Sequence, residues 1–119
     1  MSHSPQDVHK KVLGAKGERL VEAYLKKQGM KIVARNYRTP FGEADLVAEL
    51  GDETVFVEVK TRESERFGTP AEAVTRAKQE RYKKIALYYG KRKGAEPNAR
   101  FDVAEVFADG KIVYIPYAF

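Results

Sequence analysis

Glu58 and Lys60 stand inside an otherwise apolar run, Val55-Phe56-Val57-Glu58-Val59-Lys60. Burying charge there is costly unless the charges are paired or bind a metal. In an extended strand alternate side chains share a face, so Glu58 and Lys60 project to one side, opposite Val57 and Val59. Glu43 and Asp45 share a face of the preceding segment by the same period. If the two segments pair as an antiparallel hairpin, Asp45 lies beside Glu58. Two carboxylates about 4 Å apart repel by about 4 kcal/mol at an effective dielectric of about 20. A divalent cation removes that repulsion, and ligation by oxygen alone favours magnesium or manganese. For an isolated Glu-x-Lys the alternative is an ion pair between Lys60 and one carboxylate on a half-exposed sheet.

The elements that hold these residues are legible from periodicity and punctuation. Leu13, Leu20, Val21 and Tyr24 recur at helical spacing and predict a helix over 13–28, stopped by Gly29. Strands are predicted over 31–38, 43–49 and 54–61, separated by Thr39-Pro40-Phe41-Gly42 and by Gly51-Asp52. The third is the most apolar and suits a central position, covered on both faces. Thr69, Pro70 and Glu72 form a helix start, with a cap, a first-turn proline and a capping-box carboxylate. That helix runs to about Gly90, followed by the basic Lys91-Arg92-Lys93. Val74, Ala77, Ile85 and Tyr88 make its apolar stripe, and Lys78 and Arg81 fall in the same sector. Strands over 100–107 and 111–117 flank Asp109-Gly110, a hairpin turn. The order αβββαββ predicts an α/β domain, with helices packed on a mixed sheet. Residues 1–12 are polar and are expected as a flexible N-terminal arm, leaving 13–119 as a single domain.

Composition narrows the classes. The 119 residues include no cysteine, which excludes disulfides, zinc–thiolate sites and thiol nucleophiles. No apolar run approaches the roughly 20 residues of a membrane helix, and the N-terminus lacks a signal-peptide core, so a soluble cytoplasmic protein is expected. Twenty-two Lys and Arg against seventeen Asp and Glu give a net charge of +5, which points to a polyanion such as nucleic acid. Solubility alone is the blander explanation of the same charge.

The arrangement Asp45-x12-Glu58-Val59-Lys60 resembles the PD-(D/E)xK nuclease superfamily, whose restriction-endonuclease-like core has the order αβββαβ. More narrowly, the chain resembles the YraN-type family (UPF0102). The resemblance runs through Gly17-Glu18, Arg35-Asn36-Tyr37-Arg38, Gly42-Glu43-Ala44-Asp45-Leu46-Val47, Val55 to Arg62, Phe67-Gly68, Lys78 and Arg100-Phe101-Asp102-Val103. Ala44 departs from it, since relatives carry a larger aliphatic there; the change touches packing, not the candidate ligands.

The resemblance implies a restriction-endonuclease-like core with an extra C-terminal strand. It also implies that Asp45, Glu58 and the Val59 carbonyl hold magnesium or manganese, while Lys60 positions or activates water. The cation polarises a phosphoryl oxygen and lowers the pKa of a bound water, and Lys60 offsets developing charge. Glu18 is a further candidate ligand, because related resolvases place a helical glutamate near the metal; its alternative is a solvated helix-face carboxylate. Lys78 matches the family motif and is expected to face the site, by phosphate contact or carboxylate pairing. Arg81, Arg62 and Arg66 are the other candidate nucleic-acid contacts. Arg62, Arg66 and Phe67 leave the active strand in a loop that also holds Glu63 and Glu65, so a merely solvated loop is the alternative. Glu43 is expected at the rim or just behind the candidate ligands, and Asp102 is expected to be structural. Gln79 and Tyr82 are too closely spaced for the glutamine–tyrosine motif of some related nucleases.

The expected function is metal-dependent hydrolysis of phosphodiester bonds in DNA rather than RNA, with branched or damaged structures as candidate substrates. The competing expectation is a nucleic-acid-binding module without efficient turnover that acts with a partner. The apolar tail, residues 112–119, covers the core or, alternatively, forms a homodimer contact.

Overall fold

The structure, a computed structural model, describes residues 5–62 and 74–119, with side chains from Lys16 onward. Arg66, Phe67 and the expected helix start at Thr69, Pro70 and Glu72 lie outside the described residues. Seven elements follow in the expected order: α1 (Pro5–Lys27), β1 (Lys31–Thr39), β2 (Gly42–Leu50), β3 (Glu53–Arg62), α2 (Arg76–Lys93), β4 (Asn98–Phe107) and β5 (Ile112–Ile115). They form one sheet in the order β1-β2-β3-β4-β5. Every neighbouring pair is antiparallel except β3 and β4, which run parallel. A parallel step needs a crossover, and the stretch between β3 and β4 contains α2.

Three boundaries differ from expectation. α1 starts at Pro5, so residues 5–12, expected as part of a flexible arm, continue the first helix. Proline suits a first helical turn, and no glycine or proline interrupts the chain again before Gly14. Polar composition gave no apolar period to read there. α2 starts at Arg76, where Thr75 is extended (φ −77°, ψ 162°) and its hydroxyl accepts from the Lys78 N–H at 3.2 Å. It ends at Lys93, three residues beyond Gly90, and is capped by Gly94, whose left-handed backbone (φ 76°) lets its N–H return to the Lys91 carbonyl.

Two cores sandwich the sheet. On one side Val21 and Leu25 of α1 pack with Leu46, Val55, Val57 and Val106. On the other, Tyr82, Ile85, Ala86 and Tyr89 of α2 pack with Val47 and Phe56. The apolar stripe of α2 is therefore rotated from the expected one: Ala77 is exposed, Tyr88 is half-buried, and Val74 precedes the helix. Aromatic packing sets this rotation, with Phe56 edge-on to Tyr89 at 5.6 Å and Tyr82 edge-on to Phe101 at 6.2 Å.

The tail covers the chain's own core. Phe119 stacks on Phe101 at 4.8 Å, and the Ala118 N–H bonds the Phe101 carbonyl at 2.7 Å. Asp102, 1% exposed, anchors it by accepting from Arg100, from the Tyr114 hydroxyl and from the Tyr117 N–H. Asp102 is thus structural, as expected. Among the described residues no helix is long and apolar enough to cross a membrane.

Candidate functional site

β2 and β3 part company partway along their length. Their ladder runs from Leu50–Glu53 to Leu46–Val57 and stops, although β2 reaches back to Gly42 and β3 continues to Arg62 beside β4. Immediately beyond the last pair, the Asp45 carboxylate accepts from the Val59 N–H at 2.8 Å. A side chain here takes a main-chain donor that a ladder would otherwise use. Phe56 packs on the α2 side of the sheet, so Glu58 and Lys60 project to that side by the strand period.

Glu58 meets α2 there. Lys78 Nζ lies 2.5 Å from Glu58 Oε1, both side chains being largely buried, so carboxylate pairing is what the structure assigns to Lys78. The second oxygen, Oε2, is buried and has no hydrogen-bond partner among the described residues. Burial, and then the neighbouring Lys78 ammonium, hold the Lys60 pKa below its usual value, although Glu58 opposes them. Asp45 is pushed up to about 6, first by burial. The Val59 bond resists that rise, whereas the charges of Glu18, Glu58 and Glu43 add to it. Tyr82, buried beneath this group, is raised by burial and then by the charges of Glu58 and Asp45.

Glu18 arrives from α1. A Cβ placed on Gly17 would lie 2.6 Å from Thr61 Cγ2 and 3.7 Å from Val106 Cβ, so only glycine lets the helix sit this close to β3 and β4. The adjacent Glu18 is thereby brought within electrostatic reach of Asp45, its own pKa raised by burial and by Glu43. Glu22 fixes the same helix to β1 through Arg35, whose Nε donates at 2.9 Å. Glu43 lies at the rim, 3.7 Å from Arg38.

The other expected contacts are distributed differently. Arg62 forms an ion pair with Glu105, which is 1% exposed on β4 and lies opposite Lys60 in the parallel register. Arg81 is exposed and packs over the β1–β2 turn, its Cδ 2.8 Å from where a Gly42 Cβ would stand. Sequence reasoning missed Glu105 and the packing role of Gly17. The first depends on a register between distant strands; the second had a signal, since Gly17 precedes Glu18 in the quoted motif.

The donor set suits a hard divalent cation. Among the described residues no three Asp, Glu or His side chains converge as a closed cage. Magnesium is commonly held by one or two carboxylates, with water and substrate phosphate completing its shell. Asp45 and Glu58 provide two carboxylates, and Glu58 Oε2 is a buried acceptor for which the described residues provide no donor.

Three strands in antiparallel succession, a helical crossover and a parallel fourth strand define the restriction-endonuclease-like fold. Hjc, a Holliday junction resolvase from Archaeoglobus fulgidus, shares it with a TM-score of 0.52 at 24% identity, over 87% of this chain and 77% of that one. The chain belongs to the uncharacterised protein family UPF0102, which matches residues 17–106. A UPF0102 protein of Alkaliphilus metalliredigens is 47% identical over 112 residues, 92% of this chain and 98% of its own length. Another, from Nocardia farcinica, is 49% identical over 98 residues, covering 82% and 77%.

Proposed function

We propose that this protein is a magnesium- or manganese-dependent endonuclease that hydrolyses phosphodiester bonds in DNA in the cytoplasm, with branched or damaged structures as substrates. One observation carries the reading. Where β2 and β3 separate, Asp45 and Glu58 stand together beside Lys60, with one Glu58 oxygen buried and unpartnered among the described residues. Such an arrangement burdens a fold with repulsion and desolvation that the Val59 bond and the Lys78 pair offset only in part.

In this reading Asp45 and Glu58 hold the cation, the Val59 carbonyl is a third ligand, and Glu18 approaches from the α1 side. When bound, the cation supplies Lewis-acid polarisation of the phosphoryl oxygen and a lowered pKa for a coordinated water. Val59 fixes the Asp45 carboxylate through its N–H, and Lys78 fixes Glu58 through Oε1, so both acids are oriented before substrate arrives. Lys60 directs its ammonium at charge developing on the phosphate. The fold shared with the Holliday junction resolvase supports DNA as the polymer and a junction as one candidate structure, by analogy of fold alone.

The test is cleavage by Asp45→Ala and Glu58→Ala, each checked for native circular dichroism. Loss of products with the fold intact supports the reading, and full activity in either variant overturns it. A second reading, a nucleic-acid-binding module that needs a partner for turnover, is favoured by the Lys78–Glu58 pair, which already neutralises one carboxylate. Salt-sensitive binding without products in any metal would select it.

A further inference from the structure

At the β1–β2 turn Phe41 is 46% exposed, and on α2 Leu87 is 56% exposed. With Pro40, Lys84, Tyr88 and Lys91 they line a hollow of ≈ 320 Å³, whose lining includes no carboxylate. Lys84 Nζ lies 5.9 Å from the Phe41 ring centre, and the Arg92 guanidinium lies 5.9 Å from that of Tyr88. Phe41 and Tyr88 meet edge to face at 6.5 Å, which leaves ring surface open.

The hollow and the carboxylates share their supports. Gly42, next to Phe41, carries the Arg81 side chain, and Asp45 follows three residues later on β2. The helix that sends Lys78 to Glu58 sends Lys84, Tyr88 and Lys91 to the hollow. At 1.5 Å per residue Lys84 lies ~9 Å along α2 from Lys78, about the length of three stacked nucleotides.

We propose that this hollow docks an unpaired base of the DNA strand whose phosphodiester lies at Asp45 and Glu58; the inference rests on the nuclease reading above. Phe41 offers an aromatic face on which any base can stack, and the two lysines meet the flanking phosphates. A base paired inside a duplex is stacked on both faces, so the hollow selects DNA with unpaired nucleotides near the scissile bond. Lys84 and Lys91 disfavour a second copy of the chain as occupant, since a two-fold contact centred here brings like charges together.

The protein contains no tryptophan, so Phe41→Trp introduces a single fluorescent indole at the hollow. Titrated in EDTA with a single-stranded oligonucleotide, a flapped duplex and a blunt duplex, its emission should be quenched by the first two and not the third. Phe41→Ala should weaken single-strand binding about tenfold, while Phe41→Tyr binds as the parent does. Lys84→Ala should reduce the slope of log K against log salt by about 0.7. No quenching, equal quenching by blunt duplex, or a concentration-dependent dimer abolished by Phe41→Ala would overturn the proposal. Products are scored separately in manganese. Quenching without products upholds the docking and removes the nuclease reading, whereas products without quenching do the reverse.

Discussion

The Asp45 carboxylate and the Val59 main-chain N–H are joined by a 2.8 Å hydrogen bond where the β2–β3 ladder gives out. The bond aims a carboxylate into the gap between the strands and holds it near Glu18, Glu43 and Glu58 against their repulsion. Without a cation this arrangement opposes folding.

Asp45→Asn should therefore stabilise the protein in EDTA at pH 8, by roughly 1–3 kcal/mol, because an amide oxygen can still accept from Val59 without a charge. With its folded pKa raised to about 6, Asp45 keeps a proton that the unfolded chain releases near pH 4. The contribution of Asp45 to stability then falls as pH rises from about 4 to about 6 and levels off above. Urea unfolding at pH 4 and pH 8 checks this, and an unchanged difference between variant and wild type across that range would count against it.

Lys78→Ala removes the only cation paired with Glu58 among the described contacts. A loss of roughly 1–3 kcal/mol is expected in EDTA, where the buried carboxylate is left uncompensated. Manganese should recover more of the melting temperature in this variant than it adds to wild type. Equal losses with and without manganese would show that Lys78 and the cation do not share Glu58.

Gly17→Ala should cost about 1–3 kcal/mol, because its methyl meets Thr61 Cγ2 on a packed strand. The exposed neighbour Lys16 gives the control: Lys16→Ala should stay within about 0.5 kcal/mol of wild type. A neutral Gly17→Ala in urea titration would mean that α1 shifts without penalty.

Element order and the Asp45–Glu58–Lys60 group were legible because each depended on local pattern. The run Val55-Phe56-Val57 marked a central strand, and period two put Glu58 and Lys60 on one face. The N-terminal part of α1 was hidden by its polar side chains. The rotation of α2 was set by Phe56 and Phe101, partners distant in sequence, so a wheel drawn on the helix alone chose Ala77 over Tyr82. Arg62 looked like a free phosphate contact because its partner, Glu105, becomes adjacent only through the parallel β3–β4 register.

Asp102→Ala should cost about 3–5 kcal/mol, since it leaves the Arg100 guanidinium, 8% exposed, without its bidentate acceptor. Amide hydrogen exchange should quicken at Tyr117 and Ala118, whose N–H groups belong to this lock. Unaltered exchange there would mean that the tail is held by Phe119 stacking alone.

The most direct test of the nuclease assignment is cleavage of end-labelled single-stranded, duplex, flapped and four-way-junction DNA in magnesium, manganese or EDTA, with wild type and Lys60→Ala side by side. Products that require the metal and disappear in Lys60→Ala are predicted. No products from any substrate in either metal, or equal products in EDTA and from Lys60→Ala, would contradict it.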